Sequence, residues 1–493
     1  MKAWTREERY QPMEAVSPVT LEAMKEQVAE SPYRQTFHIQ PETGLLNDPN
    51  GLIYYDGEYY ISHQWFPLGA VHGLKYWFNY RSRDLVHYEP HGVILKPDTE
   101  YDSHGVYSGS AFEYQGRLYY MYTGNHRDED WSRTSSQLIA KMEDDGTLTK
   151  FSKPVIAGPP EGYTQHFRDP KVFQRGETYY AILGAQTEDE AGRLLLYKST
   201  DIVKWEFHGE VHTRLDAFGY MWECPDYFEL DGHDFVMFCP QGIESDGERY
   251  RNIYQSGYLI GQFDIEQLEF NHGDFLELDH GFDFYAPQTF KDEDGERILI
   301  GWMGLPDTAY PTDKDEWAHC LTVPRTLHIE DGKLKQRPIK NLQKLRTNEE
   351  TALGYANKFN RKLQPYEGKQ YELIIDILEN EATELYFELR ASKTQSTLIT
   401  YNTRTQKLTL DRSESGPLPE PVEGTTRSTV LDTPLQQLQI FVDTSSIEIF
   451  CNDGERVLTS RIFPDSEATG IKASTESGQV YLKFTKYDLE ENV

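Results

Sequence analysis

The sequence is short of cysteines, of basic residues and of long apolar runs, and each shortage removes a class of protein. Its four cysteines, Cys224, Cys239, Cys320 and Cys451, are widely spaced without a Cys-x-x-Cys pair. That argues against a disulfide framework or a zinc site and fits free thiols in a reducing compartment. Lys and Arg number 49 against 81 Asp and Glu, a net charge of −32, which repels polyanions and argues against nucleic acid or an anionic membrane as partner. The N-terminal stretch from Met1 to Tyr10 has no apolar core of the kind a secretion signal needs, and no later stretch approaches the ~18 consecutive apolar residues of a membrane span. A cytoplasmic protein is the expectation.

Aromatics, by contrast, are plentiful: 33 Tyr, 24 Phe and 8 Trp, which suits β-sheet packing and sugar-stacking surfaces. At 493 residues the chain is too long for one ordinary core, so two domains are expected. Five segments repeat one pattern: a short run, a turn containing glycine, and a β-rich run. The turn glycines are Gly57, Gly116, Gly176, Gly232 and Gly295, in steps of 59, 60, 56 and 63 residues. A repeat of this length built on hairpins predicts small antiparallel sheets that close into a five-bladed β-propeller, with the first strand of each blade lining the axis.

Counting back from those glycines places three acids. Asp48 lies nine residues before Gly57, Asp169 seven before Gly176, and Glu223 nine before Gly232. Each therefore starts an innermost strand, in blades one, three and four, and strands converging on one axis bring such residues to one mouth. An isolated Asn47-Asp48-Pro49-Asn50-Gly51 would mark only a turn; three acids in register point to a site. His38, His63, His72, His104 and His166 fall near blade starts, but none pairs with another at ligand spacing on one element, so no metal and no cofactor are expected.

The expected organisation is all-β. Residues 1–33 form an extension whose Ser17-Pro18 opens a short helix (Leu21, Met24, Val28) packed outside the ring, and residues 34–337 form the propeller. Residues 338–352 read as a linking helix through Ile339, Leu342 and Leu345, and residues 353–493 read as a C-terminal β-sandwich of alternating strands.

Asn47-Asp-Pro-Asn-Gly51, Phe167-Arg-Asp-Pro170 and Glu223-Cys-Pro225, supported by Gln64-Trp65, Tyr107-Ser-Gly-Ser110 and Ser446-Ile-Glu-Ile-Phe450, resemble glycoside hydrolase family 32, the β-fructofuranosidases. Leu45-Leu-Asn-Asp48, His72-Gly-Leu-Lys-Tyr-Trp77, Tyr101-Asp-Ser-His-Gly105 and Leu305-Pro-Asp-Thr-Ala-Tyr-Pro311 resemble its intracellular bacterial sucrose-6-phosphate hydrolases. The resemblance implies a propeller followed by a sandwich and a retaining hydrolysis of the β-fructofuranosyl bond of sucrose 6-phosphate or sucrose. It implies Asp48 as nucleophile, Glu223 as acid/base and Asp169 as holder of fructosyl hydroxyls. Asn47, Gln64, Ser108 and Arg168 would be contacts, with Tyr107 and Trp302 as pocket walls. Trp222, Cys224 and Pro225 would give Glu223 apolar surroundings that favour its neutral form. A phosphate on the leaving group requires local cations, for which His72, Lys75, Arg127 and Arg133 are the candidates and Lys314 a weaker one. The alternatives are an exo-acting inulin, levan or fructo-oligosaccharide hydrolase, and a non-catalytic sugar-binding propeller. The partner is a small sugar in each case.

Overall fold

A computed structural model describes residues 3–358 and 366–492. Residues 1–2, in the expected extension, and 359–365 and 493, in the expected sandwich, lie outside the described residues. Five antiparallel sheets follow one another along the chain, each ordered from inside outwards, and begin with Gly44–Tyr55, Val106–Tyr114, Tyr163–Arg175, Met221–Leu230 and Tyr285–Lys291. Successive inner strands pack on one another, and the fifth returns to the first. The ring is closed by hydrogen bonding: the short strand Trp317–Ala318 pairs in parallel with Gly44 and Leu45. This is the five-bladed propeller that the glycine spacing predicts. Each turn glycine has φ between 59° and 83°, the left-handed conformation that a tight hairpin needs and that glycine adopts without a Cβ clash.

Every inner strand loses register with its hairpin partner at its axial end. Two residues face one at 47–48, 107–108, 169–170, 224–225 and 286–287. Such a bulge bends a strand and re-aims its side chains. In blades three to five the first bulged residue, Asp169, Cys224 or Ala286, has φ of 65°, 49° or 48°, and proline follows each. A left-handed conformation at a non-glycine residue costs on the order of 1–3 kcal/mol and gathers where function holds it. The three acids stand at or beside these breaks.

The C-terminal part is a sandwich of a six-stranded and a five-stranded sheet, whose inner faces share one apolar core running from Leu373 and Leu385 to Ile447 and Leu482. The expected linking helix is not there. Lys340–Leu345 is a single 3-10 segment, and Arg346–Asn357 is a strand paired with Gln479–Leu489. The reason is in the spacing: Ile339, Leu342 and Leu345 recur every third residue, which suits three residues per turn and not 3.6, and all three are buried. The expected N-terminal helix spans Pro18–Ala29 with Ser17 capping the Thr20 amide. Most of it is exposed, with Leu21 against the blade-one cluster of Phe66, Leu68, Leu74 and Tyr76; only its end is covered, where Val28 is buried with Tyr33, Tyr310, Trp317 and Phe463 of blade five and the sandwich. Among the described residues no helix is long and apolar enough to cross a membrane.

A buried ion network fastens sandwich to ring. His38 contacts Asp443 at 2.8 Å through Nδ1 and Glu448 at 2.9 Å through Nε2. Arg325 reaches Glu448 at 2.7 Å and Asp279 at 3.1 Å, and the side chains of these residues are at most 1% exposed. Burial alone would lower the His38 pKa; the hydrogen bonds to Asp443 and Glu448 outweigh it and hold it at about 9. Both carboxylates are shifted down: burial opposes the charged form, but the His38 hydrogen bond to Asp443 and the Arg325 charge on Glu448 prevail.

A folded-state pKa above the ordinary 6.5 means that His38 contributes fully below pH 6.5 and that its contribution is lost as pH rises through about 9. The carboxylates act in the opposite sense, losing theirs only in acid, below the ordinary carboxylate range. The thermal midpoint of the wild type is therefore expected to fall between pH 6.5 and 9 more steeply than that of His38→Gln, by an amount on the order of 3 kcal/mol in the unfolding free energy. Thermal denaturation of both proteins across that range checks this; parallel slopes would show that His38 is not the titrating clamp.

Candidate active site

The bulges bring the three acids together. Asp48 is partly buried and accepts from Ser108 Oγ, from Asn47 Nδ2 at 3.2 Å and from Cys224 Sγ at 3.5 Å. Asp169 accepts from the Cys224 amide at 2.9 Å. One oxygen of Glu223 takes Arg168 Nε at 2.9 Å and Nη2 at 2.6 Å; the other takes Gln241 Nε2 at 2.8 Å and Tyr285 Oη at 2.7 Å. Arg168, Glu223 and Tyr285 are the last residues paired before their respective bulges, opposite Gly184, Cys239 and Trp302. That common position in three neighbouring blades explains why their side chains meet.

Burial raises the Asp48 pKa and the Glu223 charge adds to it, while the Ser108, Asn47 and Cys224 donors pull the other way. Asp169 is also raised: burial is the main cause, Arg168 opposes it, and Glu223 and Asp48 reinforce it. Arg168 is raised above the usual guanidinium value because the Glu223 and Asp169 charges outweigh its burial. The apolar surroundings expected for Glu223 are not found. Trp222 turns away into the blade-four core, donating to the Phe218 carbonyl at 2.6 Å, Cys224 at the bulge turns its thiol to Asp48 and Asp169, and the Glu223 carboxyl is met instead by Arg168, Gln241 and Tyr285.

The expected contacts Asn47, Gln64 and Ser108 form one chain around Asp48, with Asn47 Nδ2 to Gln64 Oε1 at 3.0 Å and Gln64 Nε2 to Ser108 Oγ at 2.6 Å. Tyr107 is half-buried beside Ser108. Trp302 is buried, in edge contact with Tyr285 at 5.9 Å and with His72 at 6.0 Å. Gln241 and Tyr285 escaped the sequence reading, since neither is acidic. Tyr285 could have been found from the Tyr285-Ala286-Pro287 run, which repeats the residue-residue-proline form of Arg168-Asp169-Pro170 and Glu223-Cys224-Pro225.

The candidate phosphate contacts separate. Lys75 is buried and donates to Asn47 Oδ1 at 2.7 Å; burial lowers its pKa to about 7 against the pull of Asp48. It thus supports the Asn47–Asp48 end and is not a free cation for a phosphate, a correction that follows from its place in the loop just before the strand Tyr76–Ser82, where its buried side chain reaches Asn47. His72 is open to solvent on one side, but its pKa is lowered by the protein packed about it and by Lys75 and Arg9, as for a residue on a pocket wall. Lys314 lies in the 3-10 turn Pro311–Asp315 of blade five. Arg127 and Arg133 face each other across adjacent strands of blade two. Arg127 donates to the Trp131 carbonyl at 3.0 Å. Arg133 and Arg168 both point at His166 Nδ1, at 3.3 and 3.1 Å. Burial, then Arg168 and Arg133, lower His166 to about 4, so the neutral ring accepts between two guanidiniums. Among the described residues neither Arg127 nor Arg133 has a carboxylate within ion-pair distance. A line of cations therefore leads outward from Glu223.

Asp48, Asp169 and Cys224 each present a ligand atom within 4.8 Å of the others. The Cys224 thiol donates to both carboxylates, at 3.5 Å to Asp48 and 3.6 Å to Asp169, and burial and those two charges raise it well above its ordinary value. Two acceptor carboxylates among neutral donors suit the hydroxyls of a sugar.

Comparison with known proteins agrees with this arrangement. The sequence pattern described as glycosyl hydrolases family 32 N-terminal domain matches residues 38–338, and that of the family 32 C terminal matches residues 341–489. The chain is 72% identical over 490 residues to a sucrose-6-phosphate hydrolase of Staphylococcus xylosus, covering 99% of each. Its fold is similar to that of a sucrose-6-phosphate hydrolase from Lactobacillus gasseri, with TM-score 0.92, 39% identity and all of each chain covered. It is also similar to a mutant Bombyx mori family 32 beta-fructofuranosidase in complex with sucrose, with TM-score 0.83, 31% identity and coverage of 97% of this chain and 100% of that one. The chain belongs to glycosyl hydrolase family 32.

Proposed function

We propose that this protein is a retaining β-fructofuranosidase that hydrolyses sucrose 6-phosphate, and sucrose less well, to fructose and glucose 6-phosphate or glucose. The observation that carries the reading is the meeting, at one axial mouth, of Asp48, Asp169 and Glu223 from three blades, with the unneutralised Arg127–Arg133 pair beyond Glu223. The names of the relatives above support the phosphorylated substrate.

Cleavage of a fructosyl bond passes through an oxocarbenium-like transition state that needs a carboxylate at the anomeric carbon and an acid at the leaving oxygen. In this reading Asp48 is the nucleophile. Its donors, Ser108 and Asn47, orient it and favour its charge. Glu223 protonates the departing oxygen, and Arg168, Gln241 and Tyr285 fix the carboxyl in place. Asp169 takes hydroxyls of the fructosyl ring, where a hydrogen bond strengthens as positive charge develops. Water then attacks the fructosyl-enzyme, with Glu223 now acting as base. The phosphate of the leaving group sits with Arg127 and Arg133.

Retention requires the two carboxyl groups of Asp48 and Glu223 to stand about 5–5.5 Å apart, and NMR of the nascent product reads the outcome directly. Release of β-fructofuranose is expected; initial α-fructofuranose would remove Asp48 from the nucleophile role. Asp48→Ala is expected to abolish turnover on every substrate. Glu223→Ala should harm an activated aryl fructoside far less than sucrose, because a good leaving group needs little protonation. Equal losses on both would exclude the acid role.

A charge-assisted contact to phosphate contributes about 1.5–3 kcal/mol. Arg127→Ala and Arg133→Ala are each expected to raise KM for sucrose 6-phosphate ~10-fold, with a much smaller change for sucrose. Lys75→Ala, which removes a contact to Asn47, should instead lower kcat on both substrates alike. Steady-state kinetics on the two sugars separates these patterns, and a wild type with equal efficiency on both would leave a sucrose or short-fructan hydrolase as the better description.

A further inference from the structure

The residues ahead of the family 32 match at residue 38 do not trail away from the ring. Residues 3–16 run back across blade one to the pocket mouth. The Leu74 amide donates to the Arg9 carbonyl at 2.7 Å and the Met13 amide to Tyr76 Oη at 3.0 Å, while Tyr76 Oη donates to Glu14 at 2.9 Å. Trp4 packs edge-on against Phe66 at 5.8 Å.

Blade one is shaped to receive this arm. A Cβ on Gly69 would fall 2.1 Å from the Trp4 ring, and one on Gly73 would fall 2.5 Å from the Arg9 carbonyl oxygen. Neither glycine has the positive φ that would call for glycine by itself; at Gly69 the Trp4 ring of the arm is what demands the missing side chain, and at Gly73 the Arg9 carbonyl does so together with the Phe66 ring, 2.8 Å from the same Cβ. Gly73 stands between His72 and Lys75, in the segment that borders the site.

The arm carries Tyr10 to the cations. Its ring meets His104 at 5.5 Å and Trp131 at 5.1 Å. Trp131 lies under Arg6 at 4.2 Å and under Arg127 at 5.4 Å, and its carbonyl is the acceptor for Arg127. The His104 ring accepts from the Arg127 amide at 3.2 Å. Tyr10 thus packs on both groups that set the position of Arg127. Its phenol stays neutral, held up to about 12 by burial and by Tyr107 against the opposing charges of Arg127, Arg133 and Arg9. An uncharged hydroxyl among guanidiniums can donate to an anion without neutralising its partners.

We infer that residues 3–16 form the outer wall of the leaving-group pocket, and that Tyr10 is a specificity-determining residue that packs on His104 and Trp131 to hold Arg127 toward the phosphate of a phosphorylated glucosyl group. The inference rests on the substrate reading proposed above. It adds a determinant from outside the catalytic ring and names the ligand class it takes, a hexose 6-phosphate.

The test uses the full chain and three variants, Tyr10→Ala, Tyr10→Phe and Gly73→Ala; the last crowds the Arg9 carbonyl and the Phe66 ring on which Trp4 packs, and so displaces the arm without replacing a side chain of the site. Two readouts are taken: kcat/KM on sucrose 6-phosphate and on sucrose, and competitive inhibition of sucrose hydrolysis by glucose 6-phosphate and by fructose. Tyr10→Ala and Gly73→Ala are expected to lower the sucrose 6-phosphate to sucrose efficiency ratio about fivefold or more, chiefly through KM, and to weaken glucose 6-phosphate more than fructose. Tyr10→Phe, which keeps the packing, should retain most of the ratio. If both products weaken by the same factor the effect is general damage to the pocket, and the inference fails. It fails equally if the wild type prefers the phosphorylated sugar and Tyr10→Ala and Gly73→Ala keep that preference. A wild type without preference refutes the substrate reading itself, a result visible before any variant is made.

Discussion

Three carboxylates confined to one mouth repel one another, and everything near them is arranged around that constraint. At a separation of 4 Å two like charges cost about 4 kcal/mol at an effective dielectric of 20, and Asp48 and Asp169 have oxygens within 4.8 Å of each other and of Cys224. Arg168 answers the repulsion at Glu223 with two hydrogen bonds and shares its charge with Asp169. Lys75 acts at Asp48 through Asn47, which accepts from the ammonium and itself donates to the carboxylate. The donors that remain are neutral: Ser108, Cys224, Gln241 and Tyr285. Neutral donors stabilise whichever acid is ionised at each stage without fixing the charge on one of them, as a cycle that moves charge between nucleophile and acid requires.

Holding such a set in place needs a rigid ring, and the ring's weak point is its seam. Trp317 and Ala318 close it with a short parallel pairing to Gly44 and Leu45, on the same strand that carries Asn47 and Asp48. Trp317 itself lies in the cluster that joins the N-terminal helix, blade five and the sandwich. His38, which opens the first blade, and Arg325, which belongs to the last, converge on Glu448 of the sandwich. The sandwich therefore grips both sides of the seam. Charges buried without partners would be costly, whereas here each is answered within 3.1 Å, so the clamp fixes one geometry even where its net energy is modest.

Much of this was legible because the ring repeats. A hairpin turn announces itself locally through its glycine, and five such glycines near sixty-residue spacing locate five inner strands and hence Asp48, Asp169 and Glu223. What stayed hidden depends on which strand faces which. Tyr285 and Gln241 carry no charge to draw notice, and their role appears only when blades four and five stand side by side. Lys75 looked like a surface cation because Lys usually is one; it is buried in the loop before the strand Tyr76–Ser82 and turned to Asn47. The linking segment misled because its strict three-residue spacing, the period of a 3-10 turn, reads like one face of an α-helix. Trp4, Arg9 and Tyr10 belong to no repeat, and the sign of their docking, glycine at 69 and 73, reads from sequence only as two ordinary loop glycines.

A chain of charge −32 that takes a dianionic sugar must reverse its own field locally. At physiological salt a charge is felt over about 8 Å, so the acids spread over the outer surface are largely screened from the pocket, while cations lining it act at contact distance. Arg127, Arg133 and Arg168 form that lining in sequence from the outer wall to Glu223. They remain effective because the group between them, His166, is neutral and no carboxylate cancels the outer two. Electrostatics here favours the bound state over the approach. A long-range field of this sign attracts no anion, so any attraction has to come from cations at contact distance. A negative average field thus costs a small anion little, because at contact distance it meets Arg127 and Arg133, which have no carboxylate within ion-pair distance among the described residues.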